Sequence, residues 1–146
     1  MSIDNQVKEA ILRQVKLEPF ARKFGMELLE LEEGYSKVAM TFTPDMKNLA
    51  GTAHGGALFA LMDEAFETAS NSHGTLAAAL NMSVNYHAAP QPGVRLIAEA
   101  REYSRTRKTA HYDITLRDEH DTLIASCTAL VYRKGVPLPY LEPSES

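Results

Sequence analysis

Between residues 55 and 72 the apolar pattern changes period, and that change constrains the fold more than any other feature of the chain. Leu58, Leu61, Met62, Ala65 and Ala69 recur at i, i+3, i+4 and i+7, with Phe59 and Phe66 at the margin of the same face. The apolar arc is wide, so the spacing predicts a helix buried on much of its surface. Asn71-Ser72-His73-Gly74 is a stop signal. On both sides of this segment the pattern alternates at period two. MELLELEEG and YSKVAMTFT come before it, with Glu33-Gly34 as the turn between them. NMSVNYHA, VRLIAEAREYSR, HYDITLRD and TLIASCTALVYR come after it, connected by PQPG, SRTRKT and DEHD. Strands on either side of one buried helix argue for an α+β fold in which a mainly antiparallel sheet wraps that helix. A doubly wound fold is disfavoured, because helices do not alternate with strands.

The ends of the chain read differently. DNQVKEAILRQVKL, residues 4 to 17, has Val7, Ile11 and Val15 at spacing four and Asp4 or Asn5 in capping position, so an amphipathic helix is expected as a lid over the core. Pro19 interrupts the pattern, and PFARKFG reads as a short turn ending at Gly25. Residues 44 to 53 are a loop broken by Pro44, Asn48 and Gly51. GVPLPYLEPSES carries three prolines and reads as an irregular tail with a frayed end. The expected division is an N-terminal helical segment (1–25), one core domain (26–134) and a tail (135–146). A length of 146 residues suits one domain with one substantial core.

Several function classes drop out on composition. Net charge is −4 and no basic block or stripe appears, so nucleic acid and anionic membrane are not expected partners. No apolar run reaches transmembrane length, and MSIDNQVKEAILRQ has no signal-peptide core. Cys127 is the only cysteine, which excludes a disulfide scaffold and suits a reducing, cytoplasmic setting. The five histidines show no metal-binding spacing, so no metal site is expected. Cys127 sits in the middle of a strand and reads as core rather than nucleophile.

The chemistry concentrates at GTAHGGALFALMDEAF, residues 51 to 66. A helix N-terminus leaves its first N–H groups without intrahelical partners and carries the positive end of the helix dipole. Glycines at that point let a ligand approach the backbone without meeting a Cβ. An N–H of Gly55 or Gly56 is therefore suited to a carbonyl oxygen that is becoming an oxyanion. The plainer reading is that the two glycines permit a tight loop-to-helix turn. An Ala at position 56 is expected to keep or raise stability if φ there is negative. Asp63 lies seven residues after Gly56 on nearly the same angular position, and Asp is a mediocre helix-interior residue. Partial burial and Glu67 at i+4 would raise its pKa and make it a base or nucleophile. Spacing does not separate Asp63 from Glu64 and Glu67, which together read equally as one solvated acidic face.

NLAGTAHGGALFALMDEAFETASNSHG (48–74) resembles the PaaI-type acyl-CoA thioesterases of the hotdog-fold superfamily. The resemblance rests on Asn48, Gly51, His54-Gly55-Gly56, Leu61, Asp63 nine residues after His54, and Asn71, and extends more loosely from about residue 20 to 133. It implies an antiparallel sheet wrapped around one long helix, with subunits pairing their sheets into a dimer and commonly into a tetramer. It implies hydrolysis of an acyl-CoA thioester with no separate cofactor, coenzyme A being part of the substrate. It gives Asp63 the role of general base or nucleophile, Gly55 or Gly56 that of oxyanion donor, and Asn48 that of orienting water or thioester. His54 would shape the loop and contact substrate. The facing wall would come from the partner subunit, at the start of NMSVNY, where some relatives carry a Ser or Thr that positions water. This chain has Ala79 near that point, with Asn81 the candidate and Ser83 close by. Relatives often show Gly-Lys-Thr where this chain has Arg107-Lys108-Thr109. Arg105, Arg107 and Lys108 form a local basic cluster suited to the phosphates of coenzyme A, or an ordinary charged hairpin tip. Phe59, Met62, Phe66 and Tyr86 would line a pocket for an aryl or medium-length acyl chain, or would be core. The competing readings are a non-catalytic hotdog that binds acyl-CoA as a sensor or regulator, and a hydratase. Retention of Asp63 with Asn48 and the absence of a His-centred hydratase motif favour the thioesterase.

Overall fold

The computed structural model describes residues 2–141. Asp4 opens α1 (Asn5–Leu17), its carboxylate accepting from the N–H groups of Gln6 and Val7 at 2.9 and 3.2 Å. Pro19 starts the short α2 (Pro19–Lys23). Strands β1 (Glu27–Glu32) and β2 (Tyr35–Thr41) follow, then a 3₁₀ turn at Pro44–Met46 and the long α3 (Gly55–Asn71). The chain closes with β3 (Thr75–Tyr86), β4 (Arg95–Arg105), β5 (Thr109–Asp118) and β6 (Leu123–Pro137).

The six strands form one antiparallel sheet in the order β1-β2-β4-β5-β6-β3. The strand that leaves α3 therefore does not pair with β2; it crosses to the far edge beside β6. α3 packs against the sheet and touches every one of its strands. Leu58, Leu61, Met62, Ala65, Phe66 and Ala69 are all buried, and the alternate residues Leu96, Ala98, Ala100, Tyr112, Ile114 and Leu116 face them from β4 and β5. The Phe66 ring meets Tyr112 edge-on at 5.5 Å. Each large side chain buried here contributes about 1.5–3 kcal/mol. The Ser36 hydroxyl donates to the Ala65 carbonyl at 2.6 Å and pins α3 to β2. Among the described residues no helix is long and apolar enough to cross a membrane.

α1 covers a second, smaller core of Ile3, Val7, Ile11, Val15, Leu31 and Leu138. Leu138 is 2% exposed, and its N–H donates to the Gly74 carbonyl. The boundary expected after residue 134 thus falls inside β6, which pairs with β3 as far as Pro137. Proline is tolerated there because the ladder ends at that residue. The frayed end expected from the sequence lies outside the described residues.

Candidate active site

Asp63 and the helix start frame one face of α3. His54 is the N-cap: its Nδ1 accepts from the Gly56 N–H at 2.9 Å, and its own N–H donates to the Met46 carbonyl. The two glycines, equivalent in the sequence, are separated by this bond. The Gly56 N–H is held by the cap, whereas the Gly55 N–H has no hydrogen-bond partner among the described residues. The Gly55 carbonyl accepts from the Tyr86 hydroxyl at 3.1 Å, which ties the helix start to the end of β3.

Asp63 lies two turns further along, half-buried. It makes no hydrogen bond or ion pair among the described residues. Its pKa is raised, first by burial and then by the charge of Glu18. It lines a cleft of about 270 Å³ with Phe66, Glu67, Ser70, Ala77, Ala79 and others. The Cys127 thiol is close enough for the Asp63 charge to help raise its pKa. Burial is the larger cause, and together they bring the thiol to about 11, which keeps it protonated and inert at neutral pH. An unpartnered carboxylate of raised basicity beside a cleft is equipped to take a proton or attack an electrophile.

The acidic neighbours of Asp63 are not one solvated face. Glu64 is 2% exposed and Glu67 is exposed, and both meet Glu18, which lies between α1 and α2. Burial first, and then interaction with Glu18, holds the Glu64 carboxyl well above the ordinary carboxylate range; Glu67, exposed as a residue, is raised in the same direction by local desolvation of its carboxyl against the cluster and then by the charge of Glu18. Helical spacing carried no sign of Glu18, because only tertiary packing of the N-terminal segment brings it onto α3.

The other expected site residues divide by position. The Asn48 amide is engaged within its own loop. Its Oδ1 accepts from the N–H groups of Ala50 and Thr52, and its Nδ2 donates to Thr52 Oγ1 and the Ala53 carbonyl. Asn48 therefore organises the loop that delivers His54. Phe59 is half-buried and does not line the cleft; Phe66 does. Asn81 and Ser83 lie on the sheet face opposite α3, bonded to each other at 3.1 Å. The cause is an irregularity in the β3–β6 register between Ala79 and Asn81. It turns Ala77 and Ala79 toward the cleft and Met82 and Val84 toward the core, so the alternate residues face outward.

The basic cluster sits at the other end of α3 from His54. Arg105 is engaged with Glu33, Glu102 and His73 at 3.7, 3.6 and 2.6 Å. Arg107 and Lys108 are exposed at the β4–β5 hairpin tip, which Arg133 holds through the carbonyls of Thr106, Arg107 and Lys108. At 1.5 Å per residue, α3 is roughly 25 Å long, so this tip and the Gly55 end lie at opposite ends of the helix within one chain.

The model of the Thioesterase superfamily matches residues 50–125. An Archaeoglobus fulgidus protein is 42% identical over 112 residues, which are 77% of this chain and 73% of that one. The acyl-coenzyme A thioesterase PaaI of Escherichia coli K12 is 31% identical over 115 residues, 79% of this chain and 82% of that one. The structure of the E. coli PaaI protein from the phenylacetic acid degradation operon superposes with a TM-score of 0.88 at 27% identity, covering 93% of this chain and 99% of that one. A Streptococcus mutans UA159 protein solved bound to acetyl CoA superposes with a TM-score of 0.74 at 26% identity, over 77% of this chain and 91% of that one.

Proposed function

The chain belongs to the thioesterase superfamily as a PaaI-type thioester hydrolase with the hotdog fold, and from that premise we propose that it hydrolyses aryl- or medium-chain acyl-CoA through Asp63 and the Gly55 N–H. One observation carries this reading: a half-buried, unpartnered Asp63 and a free Gly55 N–H share one helix, two turns apart. The thioester carbonyl oxygen binds at the Gly55 N–H, where the helix dipole favours the charge that develops as its carbon is attacked. Asp63 acts in its ionised form, taking the proton of an attacking water or attacking the carbon itself. Collapse of the tetrahedral adduct breaks the C–S bond, releasing the thiolate of coenzyme A, which takes up a proton. No separate cofactor enters these steps. The walls of Phe66, Ala77, Ala79 and Val131 suit an aryl or medium-length acyl chain. Incubation with a panel of acyl-CoAs and a thiol-reactive dye tests the proposal. Saturable thiol release is expected; binding without release would leave a sensor.

The site is completed by a second copy. β3 is an edge strand with Leu80 59% exposed, an unpaired edge that pairing would cover. β3 runs from the C-terminal end of α3 to Tyr86 at its N-terminal end. Antiparallel pairing of two such edges brings the basic hairpin of one subunit to the helix start of the other, and with it a pair of cations for the phosphates of coenzyme A. Edge pairing makes a homodimer, and the proposed assembly is a tetramer of two such dimers. Leu80→Asp is expected to yield monomers without activity, and sedimentation showing an active monomer would contradict the arrangement. The double variant Arg107→Ala/Lys108→Ala is expected to raise KM several-fold with kcat nearly unchanged, whereas a loss confined to kcat would place the phosphates elsewhere.

A further inference from the structure

The carboxylates of Glu18, Glu64 and Glu67 come together where the α1–α2 junction and Tyr140 meet α3, in a cavity separate from the Asp63 cleft, with Glu67 lining both. We propose that they bind one hard divalent cation of calcium size, which ties the α1–α2 junction to the central helix. Each of the three offers an oxygen, and these oxygens lie within 4.8 Å of one another. Calcium–oxygen bonds are about 2.3–2.6 Å, so oxygens spaced this way can share one ion.

An independent feature points to a ligand here. Glu64 is 2% exposed, and its Oε1 is fully buried with no hydrogen-bond partner. A buried carboxylate oxygen left in this state is costly. Glu18 and Glu67 line the same pocket and leave that oxygen without a bond. The three side chains surround a cavity of about 40 Å³, also lined by Gln14, Thr68 and Tyr140. Roughly 10–15 Å³ admits a water-sized occupant, so an ion with a water fits. The Gln14 amide oxygen and the Tyr140 hydroxyl are neutral oxygens of the kind such ions accept. Glu67 is exposed and gives the ion a route from solvent. The histidine spacing that argued against a metal concerns nitrogen ligands and does not bear on carboxylates assembled by tertiary packing.

Terbium, which replaces calcium at oxygen sites and luminesces when a nearby tyrosine is excited, tests the site directly. The chain has no tryptophan, and Tyr140 lines the cavity. Chelator-treated protein is titrated with Tb³⁺ and, in parallel, melted with and without Ca²⁺. The expected result is saturation near one equivalent per chain, displacement by Ca²⁺, and a rise in Tm of about 5 °C or more at a hundredfold excess over Kd. Glu64→Gln, which keeps the side-chain shape, should abolish both signals, and Asp63→Asn should leave both unchanged. The proposal is overturned by the absence of saturable binding or by binding that survives Glu64→Gln, and equally by binding that is lost in Asp63→Asn. The readouts involve no turnover, so their outcome is separate from that of the hydrolytic reading.

Discussion

Asp63→Asn is expected to lower kcat by about 10²-fold or more while raising the melting temperature near neutral pH. The amide keeps the shape of the carboxylate but can neither take a proton nor attack. The stability gain follows from the direction of the Asp63 shift. Its folded-state pKa is raised by burial and by Glu18, so ionisation costs the folded state more than the unfolded one. At pH values below the unfolded-state pKa both states hold the proton, and Asn gains nothing. As pH rises through the folded-state value the cost appears, and Asn relieves it. The difference in Tm between Asn and wild type should therefore grow from acid to neutral pH. The acid limb of kcat/KM in the wild type should lie above the ordinary carboxylate range for the same reason. Rates and melts across pH read both effects, and near-normal turnover in the variant would remove Asp63 from the reaction. Glu64→Gln should affect turnover far less, since Glu64 is buried away from the cleft.

The two glycines are expected to respond oppositely in stability. At Gly55 an added Cβ would lie 3.4 Å or more from the Tyr86 ring, an ordinary contact. Ala is the better helix former, so Gly55→Ala should melt at or above the wild-type temperature. It should still lose up to about 10²-fold in kcat/KM, because a methyl group now stands beside the N–H offered to the carbonyl. At Gly56 the added Cβ would lie 3.0 Å from His54 Nδ1 and 3.2 Å from Cε1. The ring must give by a few tenths of an ångström, which strains the cap it makes to the Gly56 N–H and forfeits up to about 1 kcal/mol. Gly56→Ala should therefore melt lower, contrary to what the spacing suggests. Paired melts and kinetics decide the matter. If Gly55→Ala is as active as wild type, the glycines serve the turn alone.

Much of the architecture was legible because it rests on local rules. The change from period two to helical period marked α3 among the strands, and Asp4, Pro19 and Glu33-Gly34 marked element ends through capping and turn chemistry. The helix-start glycines and Asp63 could be paired from the sequence because both lie on one helix, where spacing gives direction. Spacing within β3 grouped Met82 with Val84, which both pack on the core, but it could not relate Asn81 and Ser83 to Ala79. Alternation assigns faces only while register is regular, and the shift between Ala79 and Asn81 exchanges the two faces.

What the sequence determined by itself is therefore the fold class, the buried helix and the pairing of its N-terminus with an acid, all consequences of periodicity within single elements. Tertiary structure decided which acid stands alone at the cleft, since Glu64 and Glu67 are drawn into a cluster with Glu18 by the packing of α1 and α2 on α3. It also decided which glycine keeps a free N–H, because the His54 ring bonds one and not the other. Both decisions depend on contacts a few ångströms long between side chains and backbone whose positions only the assembled chain defines, and no spacing rule along a single element reaches that far.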